Sequence, residues 1–147
     1  MSFVLDATVA LAWCFGQETG TGPDDGSYAV RVLEALRTQN AVVAPLWTLE
    51  VANGLLTAER RGRLRADEAI RATRLLLALP LTLEPVERSR AGAAIFRLAR
   101  TRALSTYDAA YLELAIRLGL PIATLDRNLR IAAGTEGVEL FRPGRTG

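Results

Sequence analysis

The chain of 147 residues has no lysine, no histidine and a single cysteine, Cys14, so all 18 of its basic residues are arginine. Without lysine there is no Walker-type phosphate lysine and no Schiff-base lysine. Without histidine there is no Ser-His-Asp or Cys-His catalytic pair and no zinc site built on imidazole. One thiol cannot form an intrachain disulfide or a cysteine-rich metal cage, so a reducing compartment is allowed. No uncharged apolar run reaches the roughly 18 residues needed to cross a bilayer. The N-terminal Met1-Ser2-Phe3-Val4-Leu5-Asp6 has no basic region and carries a charge early, which argues against a secretory signal and for a cytoplasmic protein. Chemistry is left to carboxylates, hydroxyls and arginines.

What is present is a composition that is 50% hydrophobic over a length that suits one domain spanning 1–147. Sixteen acidic residues leave a formal net charge of +2. If several carboxylates gather at one site, the remaining surface is clearly basic and suits a polyanionic partner. Biased codon usage is the ordinary alternative for an arginine-only complement.

Periodicity alternates short apolar runs with helical patterns. Phe3-Val4-Leu5, Ala41 to Ala44, Leu81 to Leu83, Pro121 to Leu125 and Val138 to Phe141 read as five strands. Helices are expected over Ala7 to Phe15, from about Ala29 to Leu36, and from Thr48 to Arg61 with Leu49, Ala52 and Leu56 on its apolar stripe. Further helices are expected from about Asp67 to Leu79, over about Glu87 to Arg102, from Tyr107 to Leu118 with Tyr107, Tyr111, Leu114, Ala115 and Leu118 inward, and from Arg127 to Ala133. Gly16 to Ser27 has loop composition. The alternation predicts a parallel sheet with helices on both faces.

In such a sheet ligands bind outside the carboxyl ends of the strands, where strand order reverses. Asp6 follows the first strand and Asp126 the fourth, while Glu50 and Asp108 lie in first turns of helices. All four therefore converge on one edge if those two strands are neighbours. Each has an ordinary alternative as a helix cap or a macrodipole partner, and Ser105 to Asp108 has capping-box spacing. Capping does not explain why the acids adjoin fully apolar runs, where an uncompensated carboxylate costs several kcal/mol. With no lysine or histidine to neutralise them, the fitting partner is a hard divalent cation, Mg²⁺ or Mn²⁺. Thr8, Asn53 and Thr124 are spaced to support the acids, with a helix cap, a solvated helix face or a plain strand residue as the ordinary alternatives.

The runs Phe3-Val4-Leu5-Asp6-Ala7-Thr8, Pro45 with Glu50-Val51-Ala52-Asn53, Leu104-Ser105-Thr106-Tyr107-Asp108-Ala109-Ala110-Tyr111, and Ala123-Thr124-Leu125-Asp126 resemble PIN-domain ribonucleases of the VapC toxin type. The resemblance is ordered and spans nearly the whole chain. It implies a three-layer α/β/α sandwich around a five-stranded parallel sheet and Mg²⁺-dependent RNA cleavage by Asp6, Glu50, Asp108 and Asp126. It further implies neutralisation by a cognate antitoxin, and homodimerisation. Gly16 to Ser27 is longer than the family's usual connection.

The reading that follows is a metal-dependent endoribonuclease with Asp6 and Asp108 as principal metal ligands and Glu50 and Asp126 completing the shell. Arg60, Arg61, Arg63 and Arg65 form a basic run that could track an RNA backbone, with a solvated helix end as the alternative. Trp13 and Trp47 could stack bases, although their apolar neighbours favour packing. A different class of reading is a regulatory binding module whose acidic pocket docks a partner's arginine with little turnover. A phosphatase of the haloacid-dehalogenase type fits poorly, because Thr8 stands where a second acid belongs and lysine is absent.

Overall fold

A computed structural model describes residues 1–15 and 25–144. Four parallel strands form the sheet: β1 (Ser2–Leu5), β2 (Asn40–Val43), β3 (Thr82–Leu83) and β4 (Ile122–Ala123), in the order β3-β2-β1-β4. Val4 lies opposite Val42 on one side and Ile122 on the other, and Val42 in turn lies opposite Thr82. β1 is central and wholly apolar after Ser2, as a strand covered on both faces must be.

The helices are α1 (Ala7–Phe15), α2 (Asp25–Ala35), α3 (Leu46–Arg60), α4 (Ala66–Leu77), α5 (Arg88–Arg90), α6 (Phe96–Arg102), α7 (Thr106–Leu118) and α8 (Arg127–Thr135). They cover the sheet to give the expected α/β/α layers. Ser105 caps α7 by accepting the Asp108 N–H at 3.0 Å, and Gly119 ends the helix at φ 65, a conformation that glycine adopts without a Cβ penalty. Gly54 is where α3 passes α1, since a Cβ there would meet the Leu11 methyl groups at 2.6 Å.

Several expectations are corrected. Val138 to Phe141 is not a full strand: it meets β4 only at the parallel bridge between Ile122 and Leu140, with Phe141 N–H donating to the Ile122 carbonyl at 2.7 Å. β4 has only two paired residues and follows Pro121, which has no N–H, so little ladder exists for a fifth strand to extend. The Phe141 ring stacks on Phe3 with centroids 3.9 Å apart, so packing adds to the two backbone bonds at Ile122 in holding the segment. The helix expected over Glu87 to Arg102 is interrupted by a π-helical turn, Ala91–Ile95, between α5 and α6. Of the stretch read as a loop, Asp25, Gly26 and Ser27 already belong to α2, and the rest lies outside the described residues.

The inward face of α3 is also different from the expected stripe. Trp47, Val51, Leu55 and Ala58 are buried, whereas Leu49 is 74% exposed and Leu56 also faces solvent. Tyr107, expected inward on α7, is 63% exposed, and Leu118 is exposed too. Both mismatches arise where apolar residues occur on two adjoining helix faces, so that spacing alone does not select the buried one.

Candidate active site

Strand order reverses between β1 and β4: from β1 the chain goes to β2 on one side and later returns to β4 on the other. Asp6 leaves the end of β1 at this crossover, and the Asp6 N–H donates to the Ala123 carbonyl at 3.0 Å, extending the pairing with β4. The turn Thr124-Leu125-Asp126 leaves β4 beside it. Asp6 is 1% exposed, which is unusual for a carboxylate that has no cationic partner.

Hydroxyls satisfy it. Thr8 and Thr124 each donate from Oγ1 to Asp6 Oδ2 at 2.6 Å. The same two hydroxyls accept in turn: Leu125 N–H donates to Thr8 and Asp126 N–H to Thr124, both at 3.0 Å. The expectation that Thr8 and Thr124 support the acids is thus matched by direct bonds. Asn53 is not brought in: it is exposed and makes no side-chain hydrogen bond among the described residues.

Asp126 caps α8, its Oδ1 accepting the Leu129 N–H at 2.9 Å, so its capping role is real alongside its place at the site. Asp108 uses its backbone for the Ser105 cap, and its carboxyl is half-buried among the other acids. Glu50, on α3, accepts the Tyr111 hydroxyl at 2.6 Å. Tyr111 is a site residue that sequence reasoning assigned only to the apolar side of its helix. Its spacing, one turn after Asp108, was the available signal.

Burial is the first cause of every large shift here, and like charge adds to it. Glu50 is pushed up to about 7 by burial and by Asp6 and Asp108, against the opposing bond from Tyr111. Asp108 is pushed up to about 6 by burial, then by Asp6 and Asp126, with the Ser105 hydroxyl opposing. Asp6 is raised by burial despite the two threonine donors, with Asp126 adding. The Tyr111 phenol is raised by burial and by its bond to Glu50, and stays protonated as the donor.

None of Asp6, Glu50, Asp108 and Asp126 takes part in an ion pair among the described residues, although the chain is rich in arginine. The donors are carboxylate and hydroxyl oxygens alone, a set that suits a hard divalent cation and no soft one. Among the described residues no three acidic side chains approach closely enough to grip one ion together. Crowded carboxylates repel, and three of these four turn to hydroxyl or amide donors.

Other sequence candidates lie elsewhere. Arg60, Arg61 and Arg63 are exposed at the turn between α3 and α4, while Arg65 pairs with Asp67 and Glu68. Trp13 donates its indole N–H to the Ala29 carbonyl at 2.7 Å, tying α1 to α2, and Trp47 is buried, so both serve packing. A concavity of about 880 Å³, lined by Gln39, Pro121 and Phe141 among others, is at the amino ends of the strands, away from the acids.

The PIN domain family matches residues 3–134. Ribonuclease VapC3 of Pyrobaculum aerophilum is 33% identical over 129 residues, covering 88% of this chain and 92% of that protein. Two crystal structures share the fold. VapC20 of Mycobacterium tuberculosis, described as a sarcin-ricin loop cleaving toxin, has a TM-score of 0.65 at 18% identity, covering 96% of this chain and 99% of its own. FitAcB of Neisseria gonorrhoeae has a TM-score of 0.62 at 20% identity, covering 97% and 98%. With the acids of four distant segments gathered at the switch point of a parallel sheet, and a VapC ribonuclease alike over nearly its whole length, this chain belongs to the PIN-domain family.

Proposed function

We propose that the protein is a VapC-like endoribonuclease toxin that hydrolyses RNA phosphodiester bonds with Mg²⁺ or Mn²⁺, residues 1–147 acting as one nuclease domain in the cytoplasm. The observation that carries this reading is the acidic quartet at the switch point, buried or half-buried and without an arginine partner among the described residues. The names of the relatives, a ribonuclease and a loop-cleaving toxin, support RNA as the substrate. A cognate antitoxin is the expected partner and a homodimer the expected assembly. An antitoxin arginine placed among the four acids would neutralise them without turnover, which is how the binding-module reading survives as a regulated state of the same site.

Asp6 and Asp108 would hold the cation, with Glu50 and Asp126 completing the shell. When bound, the ion supplies a Lewis acid for the phosphodiester and counter-charge for the crowded carboxylates. The chain's own residues do the rest. Thr8 and Thr124 fix the Asp6 carboxylate in one rotamer. Glu50, titrating near neutrality, can accept a proton from the attacking water at a carboxylate oxygen, and Tyr111 holds that carboxylate in line.

The deciding experiment is cleavage of a mixed RNA pool by wild type and Asp6→Asn protein in EDTA, Mg²⁺ or Mn²⁺, with the fragment ends read. Cleavage that needs both the cation and Asp6 is the expected result. A wild type that binds neither Mn²⁺ nor RNA would return the four carboxylates to capping and burial.

A further inference from the structure

The paired residues of β4 end at Ala123, so the Thr124 carbonyl lies beyond the ladder. A strand-end carbonyl at a buried residue requires a donor. Arg130 provides it, with Nε donating to the Thr124 oxygen at 2.7 Å. Arg130 stands one helical turn after Asp126, and its own N–H donates to the Asp126 carbonyl at 3.0 Å. The three-residue turn Thr124-Leu125-Asp126 is therefore gripped at both ends by one residue. That turn presents the Thr124 hydroxyl to Asp6 and the Asp126 carboxylate to the site.

The guanidinium is itself braced. Its central carbon lies 5.0 Å from the centroid of the Tyr28 ring, on α2, and Tyr28 is buried with its hydroxyl donating to the Phe141 carbonyl at 2.8 Å. A cation over an aromatic face is attracted to it, the more so when partly shielded from water. The charges that act on Asp6, Glu50 and Asp108 are those of Asp6, Asp108 and Asp126, and this arginine is not among them. Its charge faces a ring and a carbonyl, which separates the residue from a neutraliser of the acids.

We infer that Arg130 is a positioning residue: braced on the Tyr28 ring, it holds the turn between β4 and α8 in the shape that lets Thr124 and Asp126 serve the acidic site, and so couples α2 to that site. The inference deepens the nuclease reading and rests on it for its effect on turnover, but the brace itself can be tested without metal or RNA. Lysine cannot replace Arg130, because a single ammonium cannot both lie flat on the ring and donate sideways to the carbonyl.

The test uses the full chain with Arg130→Gln, Arg130→Lys, Tyr28→Leu and Tyr28→Phe. In metal-free protein, hydrogen exchange of the Leu125 and Asp126 amides is followed by NMR. Exchange at these two positions is expected to quicken about tenfold or more in all but Tyr28→Phe, which keeps the ring, while amides between β1 and β2 stay protected. In the same variants Mn²⁺ binding, followed by electron paramagnetic resonance, should weaken and kcat on RNA should fall, each about 10- to 100-fold, with KM little changed. The double variant Tyr28→Leu/Arg130→Gln should be no worse than Arg130→Gln alone. Unchanged exchange at Leu125 and Asp126 in Arg130→Gln would overturn the inference. A loss of protection everywhere would do so too, by making Arg130 a residue of general stability, and so would a raised KM with unchanged exchange, by making it a substrate contact. A wild type that neither binds Mn²⁺ nor cuts RNA defeats the nuclease reading alone, and the exchange result then decides the brace.

Discussion

Tyr111 has no charge of its own at neutral pH, yet it sets the behaviour of Glu50. Its hydroxyl is the only hydrogen-bond donor to that carboxylate among the described residues, and the bond opposes the upward push of burial and of Asp6 and Asp108. Tyr111→Phe should therefore raise the Glu50 pKa above about 7. The acidic limb of the pH–rate profile should move to higher pH, with activity at neutral pH down about tenfold and partly recovered in alkali. A limb that stays in place would show that Glu50 is not the titrating group. The four acids were legible in the sequence because each adjoins an apolar run. Tyr111 was not, since an aromatic residue on the inward face of a helix reads as core and only the fold reveals that it meets a residue 61 positions earlier. Glu113 was missed for the same reason. It is 5% exposed and joins Arg90 and Arg117 at 3.4 and 3.1 Å, but spacing could show only the Arg117 half of that group.

That ion group links α5 to α7, and its energetics belong to the elements. Removing one partner of a buried pair commonly costs about 3–5 kcal/mol, but both arginines here reach water, so Glu113→Ala is expected to cost about 2 kcal/mol in a urea titration. Its second oxygen is buried and unpaired, so Glu113→Gln should cost less than the alanine substitution. At the end of α6, Ala103 has φ 55, a left-handed conformation in which a Cβ is strained. Ala103→Gly should relieve this and stabilise by about 1 kcal/mol, read as a higher midpoint of thermal unfolding. Helices with a single apolar face and clear stop signals were legible to within a few residues. The π-helical turn was not, because Ala91, Gly92, Ala93 and Ala94 are small and carry no strong periodicity. The fifth strand was over-read because an alternating segment looks alike whether it pairs along its length or at one bridge.

For the whole molecule, the raised acids tie stability to pH. Glu50 and Asp108 titrate near about 7 and about 6 when folded, and Asp6 is raised as well, while their unfolded forms titrate near about 4. The folded state therefore holds protons that the unfolded state has lost, so the stabilisation present at pH 4 disappears as pH rises toward 7. Scanning calorimetry of metal-free protein should show the midpoint falling by several degrees over that interval, and millimolar Mg²⁺ or Mn²⁺ should restore it at pH 7.5. Asp108→Asn should flatten the fall. A midpoint that is level from pH 4 to 7 would show that the acids do not crowd one another. With no histidine in the chain, no imidazole titration is superimposed on this interval.

The central position of β1 has one more consequence. Its neighbour β4 lies more than a hundred residues further along, and the crevice opens only where those two strands meet. The crevice therefore cannot form on a nascent chain until β4 has emerged. On the nuclease reading proposed above, activity would then arrive only at the end of synthesis.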